Sequence, residues 1–155
     1  MNVHSKVYFS KEALAALVEH AERGYPHEVC GLLLGEDLPD SYSNNGGVLS
    51  RLIRAVVPVD NSFEAGERYH RFLIGPADIL RAERQARQAG LDVLGVYHSH
   101  PNAPARPSEY DREHAAWTTW TYLIVPVRDG RAGQALAWHL REDRSAFDEV
   151  ELRLM

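Results

Sequence analysis

The sequence predicts an α/β domain, a β-sheet with helices packed on its faces. Three observations carry that prediction. Segments with apolar residues at helical spacing interleave with short strand-like runs, as α/β architectures require. Glycine and proline punctuate the junctions, as at Gly75-Pro76 and Asp129-Gly130. The chain has 155 residues, of which 45% are hydrophobic. That is enough for one ordinary domain burying about two-thirds of its unfolded surface, so a single domain over 1–155 is expected.

The elements follow in order. A helix is expected from Lys11 to Arg23, with Ser10 at the N-cap, Phe9 and Leu14 at hydrophobic-staple spacing and Gly24 after the last turn. Ala13, Leu14, Leu17, Val18 and Ala21 form its apolar stripe. Val29 to Gly35 reads as a strand buried on both faces, and the acidic, Ser/Asn/Gly-rich stretch Glu36 to Gly47 as a loop. Strands are expected at Val48–Val59 and Arg68–Ile74. A second helix opens at Gly75-Pro76 and ends before Gly90, with Ile79, Ala82, Ala86 and Ala89 on one face. Leu91 to His100 is a strand halted by Pro101, and a short third helix runs from Ser108 to about Ala116. Thr121–Val127 and Gln134–Leu140 form a hairpin across Asp129-Gly130. Phe147–Leu154 is a last strand or helix.

Composition narrows the function. Seventeen basic against 22 acidic residues leave a net charge of −5, whereas binding nucleic acid draws its affinity from neutralised phosphates. No nucleic-acid partner is expected. Apolar runs such as Leu32-Leu33-Leu34 are far short of the roughly 20 residues of a membrane helix. With no signal-peptide pattern at its start, the chain is expected to be cytoplasmic and away from membranes. The single cysteine, Cys30, excludes an internal disulfide framework and a CxxC zinc ribbon. Alone in an apolar strand, it reads as a small buried hydrophobe.

The chemistry concentrates in His98-Ser99-His100-Pro101, Ser108 and Asp111. Two histidines one residue apart on a strand point to the same side of the sheet. Ser108 and Asp111, three apart at a helix start, share a face, and the proline-broken loop between can fold that face over the histidines. Two imidazoles and a carboxylate leave a fourth position for water, the composition of a catalytic zinc site. Glu28, leading into an apolar strand, is the candidate to handle protons. Taken alone, two strand histidines are ordinary, and Ser108-x-x-Asp111 is also a capping box.

Glu28, His98-x-His100 and, after seven residues, Ser108-x-x-Asp111 together resemble the signature of the JAMM (MPN-plus) metalloproteases. Glu-Val-Cys-Gly-Leu-Leu-Leu-Gly at 28–35, Tyr-His-Ser-His-Pro at 97–101 and Pro-Ala-Arg-Pro-Ser at 104–108 agree with it. The resemblance implies a mixed sheet or partly closed barrel flanked by helices on both faces, similar to cytidine deaminases. It implies His98, His100 and Asp111 as ligands of one Zn2+, Glu28 as general acid/base acting through the metal-bound water, and Ser108 as a donor to that water or to the oxyanion. It further implies hydrolysis of a peptide or isopeptide bond, with compact members of this type acting at the Gly-Gly tail of a ubiquitin-like or sulfur-carrier protein.

Four rival readings fit less well. A non-catalytic MPN module typically lacks ligands, and this chain has the full set. A nucleoside deaminase needs P-C-x-x-C. RadC-like proteins usually read His-Asn-His-Pro-Ser-Gly where this chain has His-Ser-His-Pro-Asn-Ala. A two-histidine, one-carboxylate iron oxygenase has no use for Glu28 or Ser108. The other six histidines read as surface or internally satisfied residues, with His114 the nearest to the site. Trp117 and Trp120 read as core by default, or as an aromatic wall. A substrate tail is expected to pair with a free sheet edge.

Overall fold

The computed structural model describes residues 4–39, 49–61, 74–115 and 117–155. Among the described residues eight strands and three helices follow in chain order: β1 (His4–Phe9), α1 (Lys11–Gly24), β2 (Cys30–Pro39), β3 (Leu49–Val59), α2 (Pro76–Ala89), β4 (Asp92–Pro101), α3 (Glu109–His114), β5 (Thr121–Arg128), β6 (Arg131–Ala132), β7 (Leu136–Leu140) and β8 (Phe147–Leu154). The strands form one mixed sheet in the order β4-β2-β3-β1-β8-β7-β5-β6, and a further β4–β5 pairing closes it into a barrel. β1 runs parallel to β3 and β8, and β4 parallel to β5, while the remaining pairs are antiparallel.

Helices cover both faces, as expected. Ala13, Leu17 and Ala21 of α1 pack with Val7, Phe9, Leu33, Ile53, Tyr97 and Leu123 in one core. Ala82 and Ala86 of α2 pack with Leu32, Leu34, Val57, Val96 and Tyr122 in the other. Local signals act where the sequence puts them: the Ser10 hydroxyl accepts the Ala13 N–H, Pro76 opens α2, and Gly90 closes it in the left-handed region at φ 71°. Asp129 and Gly130, at φ 50° and 81°, make the tight hairpin turn, although the partner strand across it is the two-residue β6 and β7 starts only at Leu136.

Several expectations change. β1 was not anticipated, because six residues beginning His-Ser-Lys carry little alternation, and its partners lie far along the chain. β2 continues through Glu36 to Pro39, inside the expected loop, because its acidic residues are matched by arginines on β3. Arg54 donates to Glu36 at 2.7 Å, and Arg51 grips Asp37 at 2.9 and 3.1 Å. The final segment is a strand. Ala89 is exposed rather than on the packed face of α2. The strand expected over 68–74 lies outside the described residues except for Ile74. Closure by β4–β5 also leaves β4 flanked on both sides among the described residues, so no free edge is offered beside its histidines.

The closing seam is tight. Gly95 pairs with Thr121, and a Cβ there would stand 2.0 Å from the Thr121 carbonyl oxygen. Beside it, buried Arg51 donates to the carbonyls of Leu94 and Thr119 and to the Thr121 hydroxyl. Gly95→Ala is therefore expected to destabilise the fold by about 2 kcal/mol. The check is the urea midpoint, where a value unchanged from wild type would show that the seam accepts a methyl group.

Candidate metal centre

The centre is assembled at the C-terminal end of β4, where the strand alternation continues into polar residues. Val96, His98 and His100 lie on the face toward α2 and α3, and Tyr97 and Ser99 on the face toward α1. His98 Nε2 lies 3.0 Å from His100 Nε2. The Asp111 Oδ2 atom, brought in by the loop and α3, stands 3.3 Å from the first and 3.1 Å from the second. Donor atoms from Glu28, His98, His100 and Asp111 all lie within 4.8 Å of one another.

These three contacts suit a metal ion. Bonds of about 2.0–2.1 Å at tetrahedral angles put neighbouring donor atoms about 3.3 Å apart. The His100 Nδ1–H donates to the Pro104 carbonyl at 2.7 Å, which leaves Nε2 as the lone-pair atom in the neutral ring. The Glu28 side chain is 4% exposed, and its Oε2 is buried without a hydrogen-bond partner among the described residues. An orphaned buried carboxylate oxygen is costly unless something charged completes it. The group is thus able to hold a metal ion.

Burial pushes the Glu28 carboxyl up to about 8, the nearby His100 opposing this and Asp111 adding to it. Asp111 goes the other way: burial would raise it, but the charge of His98 and hydrogen bonds from both imidazoles and Ser108 hold it well below the usual carboxylate range. Burial lowers the His98 imidazole. Against the same burial, Asp111 and the Pro104 carbonyl raise that of His100. Two carboxyls in one site are driven apart by their surroundings, the pattern that separates a proton carrier from a fixed anion.

The capping box and the metal donor set coexist. Asp111 Oδ2 accepts the Ser108 N–H at 2.8 Å while facing the imidazoles, and the Ser108 hydroxyl accepts the Asp111 N–H at 3.1 Å. All five residues singled out in the sequence meet in one place. Cys30 is a buried free thiol pushed up by burial to about 12, as its apolar strand implies. His20 and His139 are satisfied internally, by the Tyr97 hydroxyl and the Thr121 hydroxyl, each at 2.8 Å.

Ser99 was missed by the sequence reading. Fully buried on the opposite face from the histidines, its hydroxyl accepts the Val29 N–H at 2.9 Å and its own N–H donates to the Val29 carbonyl at 3.0 Å. Asn61 holds the other side, its amide donating to the Glu28 carbonyl at 3.0 Å. A small hydroxyl residue between two strand histidines was the available signal, but its partner 70 residues away was not.

The chain is similar to known proteins. The family model for prokaryotic homologues of the JAB domain matches residues 10–141. A desampylase of Haloferax volcanii is 32% identical over 131 residues, covering 82% of this chain and 84% of that protein. The probable TtuB-protein conjugate cleaving protease of Thermus thermophilus is 32% identical over 116 residues, covering 75% of each. A solution structure from Desulfitobacterium hafniense superposes with a TM-score of 0.77 at 28% identity, covering 96% of this chain and 92% of that one. The chain belongs to the prokaryotic JAB-domain family.

Proposed function

We propose that the chain is a zinc-dependent peptidase or isopeptidase, one catalytic domain over 1–155. In this reading it hydrolyses the amide bond that follows the Gly-Gly tail of a ubiquitin-like or sulfur-carrier β-grasp protein. The carrying observation is the donor group of Glu28, His98, His100 and Asp111 gathered within 4.8 Å. The similarity to a desampylase and to a conjugate-cleaving protease supports the substrate class.

In this reading His98, His100 and Asp111 hold the ion, and Glu28 and Ser108 act on substrate and water. When bound, zinc supplies Lewis acidity: it polarises a carbonyl, makes water acidic near pH 7 and draws the Glu28 carboxyl down from about 8. Glu28 takes the proton that attacking water loses as its oxygen bonds to the carbonyl carbon. The same carboxyl delivers that proton to the amide nitrogen as the C–N bond breaks, so acid and amine leave in balance. The Ser108 hydroxyl, whose oxygen already accepts the Asp111 N–H, directs its own hydrogen at the oxyanion, where such a donor acts most strongly. Ser99 positions Glu28 through Val29.

Asp111→Ala should lower the zinc-to-protein ratio after dialysis, and an unchanged ratio would remove it from the ligand set. Glu28→Gln should keep zinc and slow cleavage by roughly 10²–10⁴-fold. Ser99→Ala should also lower kcat, yet have little further effect in the Glu28→Gln background, because residues acting as one unit are non-additive. Equal fractional losses in both backgrounds would show that Ser99 acts elsewhere. The metal-free protein offers a fourth check through the raised Glu28 carboxyl. A carboxyl raised from 4.5 to about 8 contributes stability that is fully present below the lower value and lost as pH rises through the upper one. Metal-free wild type should therefore lose stability relative to Glu28→Gln between pH 5 and pH 8, read from urea midpoints. Parallel pH curves would contradict the assignment.

A further inference from the structure

Beside the metal donors lies a cavity of about 310 Å³ that the chemistry above does not use. His98 and Asp111 form part of its lining, and Ile79, Tyr110, Trp117 and Trp120 are among the other residues that line it. The two indoles lie 4.1 Å apart, and Trp117 is 42% exposed, so it is a wall and not core. A second cavity of about 500 Å³ shares Ile79, Trp117 and Trp120, and continues to the charged residues Glu83, Arg87 and Asp92. Together they make a groove, apolar next to the donors and polar beyond the tryptophans.

The tryptophan loop is held in place from within the fold. The Tyr122 hydroxyl donates to the Trp117 carbonyl at 2.7 Å and accepts its N–H at 3.0 Å. Arg51 donates to the Thr119 carbonyl at 3.0 Å. A half-exposed aromatic pair fixed at both ends of its loop is a pre-organised contact surface, whose occupant meets little ordering cost. The apolar cavity is at the small end of ligand sites, suited to a side chain and too small for a folded partner.

We infer that Trp117 and Trp120 are specificity-determining residues, forming a subsite for a bulky apolar side chain on the acyl part of the substrate, just upstream of its Gly-Gly. This rests on the function proposed above. Two extended glycines span roughly 7 Å and have no side chains, so they pass the donors without filling the cavity. The next residue upstream is the first that can fill it, and the residues before that run toward the polar part of the groove. The tail is also the part that conjugates of one carrier share, whereas their leaving amines differ. A fixed aromatic wall serves the shared part. The groove takes over the role that a free sheet edge was expected to play, since the closed barrel offers none beside the histidines among the described residues.

The test uses the zinc-loaded protein and peptides ending in X-Gly-Gly joined to one fluorogenic amine, with X as Leu, Phe, Gly or Asp. Leu and Phe should exceed Gly and Asp in kcat/KM by at least about tenfold. Trp120→Ala and, independently, the more exposed Trp117→Ala should bring the Leu substrate down toward the Gly substrate, mainly through KM. A free peptide ending in Leu-Gly-Gly should shift the indole N–H resonances of Trp117 and Trp120 in the metal-free protein, a readout independent of turnover. Cleavage indifferent to X, or a preference untouched by both substitutions, would overturn the subsite and leave the hydrolase reading standing. A preference that follows the leaving amine when that side is varied would do the same. Failure to cleave any of the peptides or an intact Gly-Gly conjugate would overturn both.

Discussion

The end of β4 is polar on both faces and buried on both, and the site depends on how that burden is met. His98 is 2% exposed, Ser99 0% and His100 9%. Polar groups in such surroundings persist only when each finds a partner. On one face the imidazoles meet Asp111, and on the other the Ser99 hydroxyl and N–H close on both polar groups of Val29. The same strand end therefore fixes the imidazoles and, through Val29, the entry of Glu28. One short segment orients the ion-binding side chains with one face and the proton carrier with the other.

That arrangement requires β4 to be flanked on both sides. β2 brings Cys30 opposite His98, setting Glu28 just beyond the end of the pairing, and β5 pairs along the strand from Gly95 to Pro101. The parallel β4–β5 pair needs a crossover, and this crossover carries Ser108, Asp111 and the tryptophan loop. Barrel closure and site assembly are thus the same event. Arg51 reinforces the point of closure, since one buried guanidinium joins Asp37 of β2, the Leu94 carbonyl of β4, the Thr119 carbonyl of the crossover and the Thr121 hydroxyl of β5. Rigid support of this kind keeps a functional cluster within a few tenths of an ångström of its working geometry.

The electrostatics follow from the packing. Asp111 faces two imidazoles and a backbone N–H and remains an anion, whereas Glu28 is buried at one remove from them and is pushed toward its neutral form. Equal chemistry in unequal surroundings yields one carboxyl suited to holding a cation and one suited to moving a proton.

The sequence by itself determined what local periodicity controls. Alternation along a strand put His98 and His100 on one side, a three-residue step at a helix start joined Ser108 to Asp111, and Ser10, Pro76 and Gly90 marked helix ends. Spacing and residue type also reached Glu28, through its resemblance to a family signature. Only the tertiary structure decided the rest: the unforeseen β1, the extension of β2 through Asp37, the closure at Gly95, the bond from Ser99 to Val29 and the emergence of Trp117 as a wall. Most of these depend on a partner well along the chain, from 14 residues for Asp37 and Arg51 to 70 for Val29 and Ser99, selected by strand register and by the pairing of buried charge. Neighbours along the chain carry no trace of such a partner until the barrel has brought it near.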